Sequence, residues 1–281
     1  MPYILDTTPK KKYFLNDRIA KKIFKDDVLG KKLCARIISD LLELDYHEVY
    51  HSLHKTSEDI AFQALSVDSR SDVILHHDSM IIDIEINYKY YRSKPIVLET
   101  YVWQLLLSQV KSYKDYNKLK EVVQISIDAY DFFNNNMFIY KSYLMEETTH
   151  QKTSNSLIMY HLNLAYLQEI DYTLIKKNKL MYDLFFLICG SKLINEIYKG
   201  DKFMEEIISN ARQIAGEENI PLFASEEEIM KLDEEFIRNQ GIEQKEKEMV
   251  LNLYHNGVSL DIIAKSANLT IDEVKAIIEK E

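Results

Sequence analysis

The chain has 281 residues, of which 46% are hydrophobic and 28% are charged, and it carries a formal net charge of −10 at pH 7. A chain of this length can bury a sizeable core, and its 6 glycines and 4 prolines leave little sequence for linkers or low-complexity tails. No run of about 18 apolar residues occurs and the N-terminus lacks the apolar region of a secretory signal, so we expect neither a membrane span nor a signal peptide.

The two cysteines, Cys34 and Cys189, favour a reducing compartment. Both lie in apolar helical contexts, and neither has the CxxC or Cys/His spacing of a redox or metal site. We therefore expect buried thiols and a cytoplasmic location.

Charge is unevenly distributed along the chain. Residues 1–36 contain ten Lys and Arg against four Asp, a net charge of +6, whereas residues 165–281 contain 14 Lys and Arg against 23 Asp and Glu, a net charge of −9. The acidic total argues against nonspecific nucleic-acid binding by the whole surface, but a local basic patch can still meet phosphates. The alternative is that the N-terminal lysines form the solvated faces of two helices.

The first third of the chain predicts helices on both sides of a β-hairpin. Asn16 and Asp17 are a typical helix start, and a second amphipathic helix follows up to about residue 42. Residues 69–88 are expected to form two strands around a polar turn at 76–79, and a long helix is expected after Pro95.

The following segments predict three more strands and then helices. The stretches "VVQISIDAYDFF", "MFIYKSYLM" and "SLIMYHLNL" have strand composition, and strand signals stop near residue 164. This order predicts a mixed α/β domain over residues 1–164, with one sheet flanked by helices, and a helical region over 165–281. Near the C-terminus, a helix ending at Gly257 and a final helix capped by Thr270 and Glu273 have a spacing compatible with a helix-turn-helix.

The second strand of the hairpin has a polar residue at every other position. Asp83, Glu85, Asn87 and Lys89 would share one face of this strand, and isoleucines occupy the other. One interpretation is an antiparallel strand with a solvated face. The other is a functional face covered by the helix that follows Pro95.

A pair of carboxylates indicates which chemistry a functional face of this strand would have. Asp72 on the first strand is expected to lie close to Glu85 across the hairpin. Two adjacent carboxylates repel each other, and a hard divalent cation relieves that repulsion. Mg²⁺ prefers oxygen ligands, and one or two carboxylates together with a substrate phosphate can hold it. The metal would then activate a water against a phosphodiester.

Several motifs in the same order give the chain a family resemblance. They are "SDVIL", "DIEIN", "YKDYNKL", "EVVQISI" and, near the C-terminus, "NGVSLDIIAKSANLTIDEVKAII". This set resembles the PD-(D/E)XK nucleases, and among them the bacterial recombination-promoting nucleases, or PD-(D/E)XK nuclease family transposases. The resemblance extends from about residue 12 to residue 278. It implies a restriction-endonuclease-like mixed sheet flanked by helices and followed by a helical C-terminal region.

The resemblance also assigns residues to roles. Asp72 and Glu85 match the metal-binding carboxylates of a Mg²⁺-dependent DNA endonuclease, for which Mn²⁺ can substitute. Asn87 occupies the position where the superfamily has Lys and this group usually has Gln, so it brings no positive charge, although an amide can orient the attacking water. Lys89 on the same face is our candidate for the missing charge.

The implied partner is DNA, and the implied pathway is recombination or the control of mobile DNA. The family's long helix places a polar residue over the site, for which Gln104 and Gln109 are candidates. The C-terminal helices are acidic, which favours packing or contact with a second copy of the chain over DNA reading. Two other functions remain open: a relative that binds nucleic acid without cutting it, and a protein-interaction or assembly module that uses the acidic helical half.

Overall fold

The structure is a computed structural model that describes residues 13–55, 72–90, 92–225, 227–228, 231, 245, 247–267 and 269–278. The chain divides into two compact units, Met1–Glu226 and Glu227–Glu281. The helices between residues 164 and 218 belong to the first unit. Within the described residues, none of the helices combines the length and the apolar character that crossing a bilayer requires.

The first unit is organised around a mixed six-stranded sheet with the strand order β2-β3-β4-β5-β7-β6. Its strands are β2 (His54–Lys55), β3 (Val73–His76), β4 (Met80–Asn87), β5 (Glu121–Asp128), β6 (Ile139–Tyr143) and β7 (Leu157–Asn163). The three central strands β4, β5 and β7 run parallel, and the outer pairings are antiparallel. This arrangement confirms the predicted α/β class with one mixed sheet.

Nine α-helices, one 3₁₀ helix (Tyr113–Lys118) and two short strands complete the described part of the first unit. The helices are α1 (Asp17–Lys25), α2 (Leu29–Leu42), α3 (Tyr46–Ser52), α4 (Lys94–Ser108), α5 (Leu164–Leu167), α6 (Tyr172–Lys177), α7 (Lys179–Phe185), α8 (Gly190–Ile197) and α9 (Lys202–Glu218). Strand β1 (Tyr13–Leu15) pairs with β8 (Phe223–Ser225). The expectation that strands end near residue 164 is therefore wrong, because a three-residue strand has too few positions to show periodicity.

The predicted hairpin and the helix start before it are confirmed. In the hairpin, Val73 lies opposite Ile84, and His77 donates its backbone N–H to the carbonyl of Met80 at 2.9 Å across the turn. At the start of α1, the side chain of Asn16 accepts the N–H of Arg18.

Helix α4 covers the face of the sheet that carries the polar residues of β4. Pro95 lies in the first turn of α4, where its fixed φ suits the helix and its missing N–H costs nothing. The apolar part of the contact consists of Ile81, Val102, Leu105, Val122 and Leu157. All residues from 81 to 87 are buried, so the solvated-face interpretation of β4 is wrong.

Close contacts fix the helices around the sheet. A Cβ at Gly30 in α2 would lie 2.3 Å from the carbonyl oxygen of Ile23 in α1, so only glycine allows this approach. Between α2 and α7, Arg36 donates from Nε to Oδ2 of the fully buried Asp183 at 2.7 Å. Cys34 and Cys189 are free and buried, as the sequence predicts.

The second unit has a core of its own. Its helices are α10 (247–255), α11 (Leu260–Ala267) and α12 (Ile271–Ile278), and they bury Val250, Ile263, Ala264, Ala267 and Val274. Glu273 accepts the backbone N–H of Thr270 at 2.8 Å, and Gly257 has a φ of 77° after α10. The predicted cap and the predicted glycine stop are confirmed.

Candidate functional site

A row of polar side chains crosses the three parallel strands on the face beneath α4. Strand alternation and the register place Glu85, Ser126 and His161 side by side, and Asn87 beside Asp128. The buried polar residues of this face are Asp83, Glu85, Asn87, Gln124, Ser126, Asp128, His161 and Asn163. Because buried polar groups are costly without partners, a face of this kind needs a hydrogen-bond network or a ligand.

The structure brings Asp72 and Glu85 together at the edge of this row. The backbone N–H of Asp72 donates to Oε1 of Glu85 at 3.1 Å, and the N–H of Ile86 donates to Oδ2 of Asp72 at 2.9 Å. Asp72 is 9% exposed and Glu85 is 4% exposed. The two carboxylates predicted from the hairpin are therefore neighbours, and each accepts a backbone N–H from the segment that carries the other.

Lys21 of α1 reaches the same pair from the side. Its Nζ lies 3.2 Å from Oδ1 of Asp72 and 3.1 Å from Oδ2 of Asp17. Burial opposes the charged amine, but the carboxylates of Asp72 and Asp17 outweigh this effect and raise the pKa of Lys21 above its ordinary value. Lys21 is thus a fixed positive charge on one oxygen of Asp72.

Lys94, the first residue of α4, is a second cation at the site, and sequence reasoning missed it. It is 8% exposed, and burial lowers the pKa of its amine, while the negative charges of Glu85, Asp128 and Asp72 act in the opposite direction. The sequence signal was its position immediately before Pro95, which places it in the first turn of the predicted helix.

Glu85 is held in an environment that disfavours its negative charge. Burial raises its pKa well above the ordinary value, and the nearby charges of Asp83 and Asp72 raise it further. Lys94 and the N–H of Asp72 act in the opposite direction. Added positive charge at this point would therefore favour the ionised carboxylate.

Asn87 is bound into a network that extends across β5 to β7. Its Nδ2 donates to Oγ of Ser126 at 2.7 Å and to Oδ1 of Asp128 at 3.0 Å. Ser126 also donates to Oδ1 of Asp128 at 2.8 Å, and Nδ1 of His161 lies 2.8 Å from Oδ2 of Asp128. Sequence reasoning missed these partners, although "QISID" repeats the polar alternation of β4.

Lys89 lies beyond the end of β4 at Asn87 and is half-buried. Strand alternation therefore does not fix the direction of its side chain, and its role stays a prediction. Gln109 binds the backbone of Lys120, accepting its N–H at 2.8 Å and donating to its carbonyl at 3.1 Å, so it holds the connection before β5. Gln104 is buried on α4.

Aromatic rings continue from His161 to the surface. Phe132 packs on His161 with ring centroids 3.9 Å apart, and Tyr90, which is 50% exposed, meets Phe132 at 6.1 Å. Tyr88, two residues before Tyr90, is half-buried.

Much of the basic charge near the N-terminus is used within the chain. Arg18 lies 2.6 Å from Glu218 at the end of α9, and Lys22 pairs with the same carboxylate. Lys21 and Arg36 are also paired, with Asp72 and Asp183. These pairs reduce the charge that the N-terminal helices offer to a phosphate backbone.

In the part of the chain that the structure describes, no cluster of three or more His, Cys, Asp and Glu side chains is arranged to hold a metal. Comparison with known proteins finds neither a matching family model nor a matching curated protein.

Proposed function

We propose that the chain is a metal-dependent DNA endonuclease that hydrolyses phosphodiester bonds, with its site on a restriction-endonuclease-like sheet. The observation that carries this proposal is the buried pair Asp72 and Glu85, joined by the hydrogen bond from the N–H of Asp72 to Glu85. The buried amine of Lys94 is within reach of the negative charge of both. Recombination or mobile-element functions, and the cytoplasmic location, are part of the proposal and derive from the resemblance and the composition.

The residues present suit Mg²⁺ or Mn²⁺. Carboxylate oxygens are the ligands that hard divalent cations prefer, and Mg²⁺ commonly uses only one or two of them with substrate phosphates, so a two-carboxylate site is sufficient. Burial, together with the charges of Asp83 and Asp72, raises the pKa of Glu85, so a bound cation would favour its ionised form. When bound, the metal would activate water and neutralise charge on the phosphate.

The chain's own residues would divide the remaining work. Lys21 and the N–H of Ile86 hold the carboxylate of Asp72 in one orientation. Lys94 supplies the positive charge that Asn87 cannot supply, and it would stabilise the charge that develops on a phosphate oxygen. In this proposal the two lysines, Lys21 and Lys94, act on the two carboxylates of Asp72 and Glu85.

A cavity of about 480 Å³ opens at the start of α4. The residues on both sides of Lys94 in the chain line this cavity: Arg92, Ser93, Pro95, Ile96 and Glu99. Arg92 and the exposed ring of Tyr90 suit a phosphate and a base of an incoming strand. This feature supports contact of DNA with the start of α4, where Lys94 is the first helical residue.

Nicking of supercoiled plasmid DNA tests the proposal. The substitutions Asp72→Asn and Glu85→Gln keep the side-chain shape, and we expect each to reduce Mg²⁺-dependent nicking at least about 100-fold, because each removes a metal ligand. Glu206→Gln, an exposed carboxylate of α9 that has no part in the proposed site, is the control and should cut at the wild-type rate. Equal nicking by all four proteins would falsify the assignment.

A relative that binds nucleic acid without cutting it is the second candidate. The observation in its favour is that Lys21 already occupies one oxygen of Asp72, where a metal would compete with it. Calorimetric titration with Mn²⁺ separates the two functions, since DNA binding without a Mn²⁺ site supports the second. An assembly module based on the acidic helices, including a homo-oligomer, would show self-association by light scattering and no DNA binding.

A further inference from the structure

The side-chain amide of Asn87 has a single orientation that its partners determine. An Asn amide has an oxygen that only accepts and a nitrogen that only donates, and the two ends are chemically opposite although similar in shape. Within the described chain, both hydrogen bonds of the Asn87 side chain use Nδ2, to Ser126 and to Asp128. Turning the amide would place its oxygen against the carboxylate of Asp128, where two acceptors repel.

The donor and acceptor roles of the partners of Asn87 are fixed as well. Oδ1 of Asp128 accepts from Asn87 and from Ser126, and Oδ2 faces Nδ1 of His161, so each hydrogen bond has one consistent donor. Asn87 is 5% exposed, Ser126 and Asp128 are fully buried, and His161 is 2% exposed. Phe132 packs on the imidazole and limits its rotation. A fully connected buried network of this kind is rigid.

This orientation determines where the carbonyl oxygen of Asn87 lies. Strand β5 is on one side of β4, and β3 with the preceding Asp72 is on the other. Because Nδ2 is directed to β5, the other branch of the amide is directed away from β5. Glu85 lies two residues earlier on the same face of β4.

We propose that Asn87 contributes its carbonyl oxygen as a third oxygen ligand beside Asp72 and Glu85, and that Ser126, Asp128 and His161 are positioning residues that hold it there. The inference rests on the proposed function. Asn87 stands where the PD-(D/E)XK motif has a lysine. In this inference it binds the metal through its oxygen and does not substitute for the positive charge of that lysine. Outer partners of metal ligands commonly affect metal affinity 10- to 100-fold, which is the range expected for these three.

Two measurements on the full-length chain test this inference. The first is hydrogen exchange of the Asn87 side-chain NH₂ by NMR, with the signal assigned from its loss in Asn87→Leu. We expect slow exchange without metal, and continued protection after Mg²⁺ is added, because the metal would bind the oxygen. A freely exchanging NH₂ overturns the orientation whatever the chain's activity.

The second measurement is Mn²⁺ affinity by calorimetry. We expect Asn87→Leu and Asp128→Asn each to weaken binding about tenfold or more, and Gln109→Leu, a polar residue used elsewhere, to leave it unchanged. Wild-type affinity in a folded Asn87→Leu variant overturns the ligand role. If the wild type binds no Mn²⁺, the proposed function and the ligand role both fail, while slow NH₂ exchange would still identify the orientation as correct.

Discussion

At the scale of single residues, the candidate site combines buried carboxylates with nearby lysine side chains. Two cations, Lys21 and Lys94, approach two carboxylates that repel each other. Lys21 is the part of this balance that competes directly with a metal, because it contacts an oxygen of Asp72. The effect of each charge on metal binding can therefore be measured by substituting the group that carries it.

Lys21→Met should strengthen metal binding. The side chain of Lys21 is 35% exposed but that of Asp72 is only 11% exposed, so loss of the ion pair should lower the free energy of unfolding by about 1–3 kcal/mol. We expect Mn²⁺ to bind about tenfold more tightly, because Asp72 no longer shares its oxygen. Lys22→Met, in the same helix but paired with Glu218, is the control and should bind Mn²⁺ like the wild type. Weaker binding in Lys21→Met would show that the lysine supports the site.

Glu85 predicts a pH dependence of stability. Its pKa in the folded chain lies well above the ordinary value of 4.5 because it is buried near Asp83 and Asp72. Between the two pKa values the folded chain keeps a proton that the unfolded chain has released, so this group's contribution to the free energy of unfolding falls as pH rises. Glu85→Gln should flatten that fall. Urea unfolding at a series of pH values without metal measures it, and parallel profiles would contradict the assignment.

Tyr88 and Tyr198 are two tyrosines whose hydroxyl groups differ in hydrogen bonding. The hydroxyl of Tyr88 is buried without a hydrogen-bond partner in the described chain, whereas that of Tyr198 donates to the carbonyl of Tyr182 at 2.8 Å. We expect Tyr88→Phe to leave the free energy of unfolding unchanged or to raise it by up to about 1 kcal/mol, and Tyr198→Phe to lower it by about 1 kcal/mol. Denaturant unfolding that gave the reverse order would contradict this description of Tyr88.

At the scale of elements, local pattern predicted some features and not others. The hairpin and α4 could be predicted because period-two alternation and Pro95 are local signals. The parallel pairing of β4 with β5 could not be predicted, since the strands are joined through a long helix and the register depends on tertiary contacts. For this reason the pair Asp72 and Glu85 was found from the sequence, and the partners of Asn87 on β5 and β7 were not.

The contact between α1 and α2 predicts a contrast between two glycines. At Gly30 a Cβ would lie 2.3 Å and 2.6 Å from two carbonyl oxygens of α1, whereas at Gly216 in α9 nothing lies within 4 Å. We expect Gly30→Ala to destabilise the chain by about 1–3 kcal/mol through overpacking. Gly216→Ala should stabilise it by about 0.5–1 kcal/mol, since alanine favours a helix. Thermal unfolding of both variants measures this, and equal effects would contradict the close approach.

At the scale of the whole molecule, the charge of the chain restricts where the proposed DNA partner could bind. The net charge is −10, and the basic residues Arg18, Lys21 and Lys22 are paired with carboxylates of the same chain. The described helices of the second unit carry their own apolar core. Nucleic-acid contact by the first unit would therefore depend on a local surface near α4, where Arg92 lines the cavity, rather than on an overall field.

The central claim is that Asp72 and Glu85 hold one cation, and anomalous X-ray diffraction from crystals grown with Mn²⁺ tests it most directly. The account predicts one anomalous peak at roughly 2.1–2.2 Å from an oxygen of each carboxylate, and no peak there in crystals of Glu85→Gln. A Mn²⁺-containing crystal in which Lys21 and Lys94 keep both carboxylates, with no peak between Asp72 and Glu85, would contradict it.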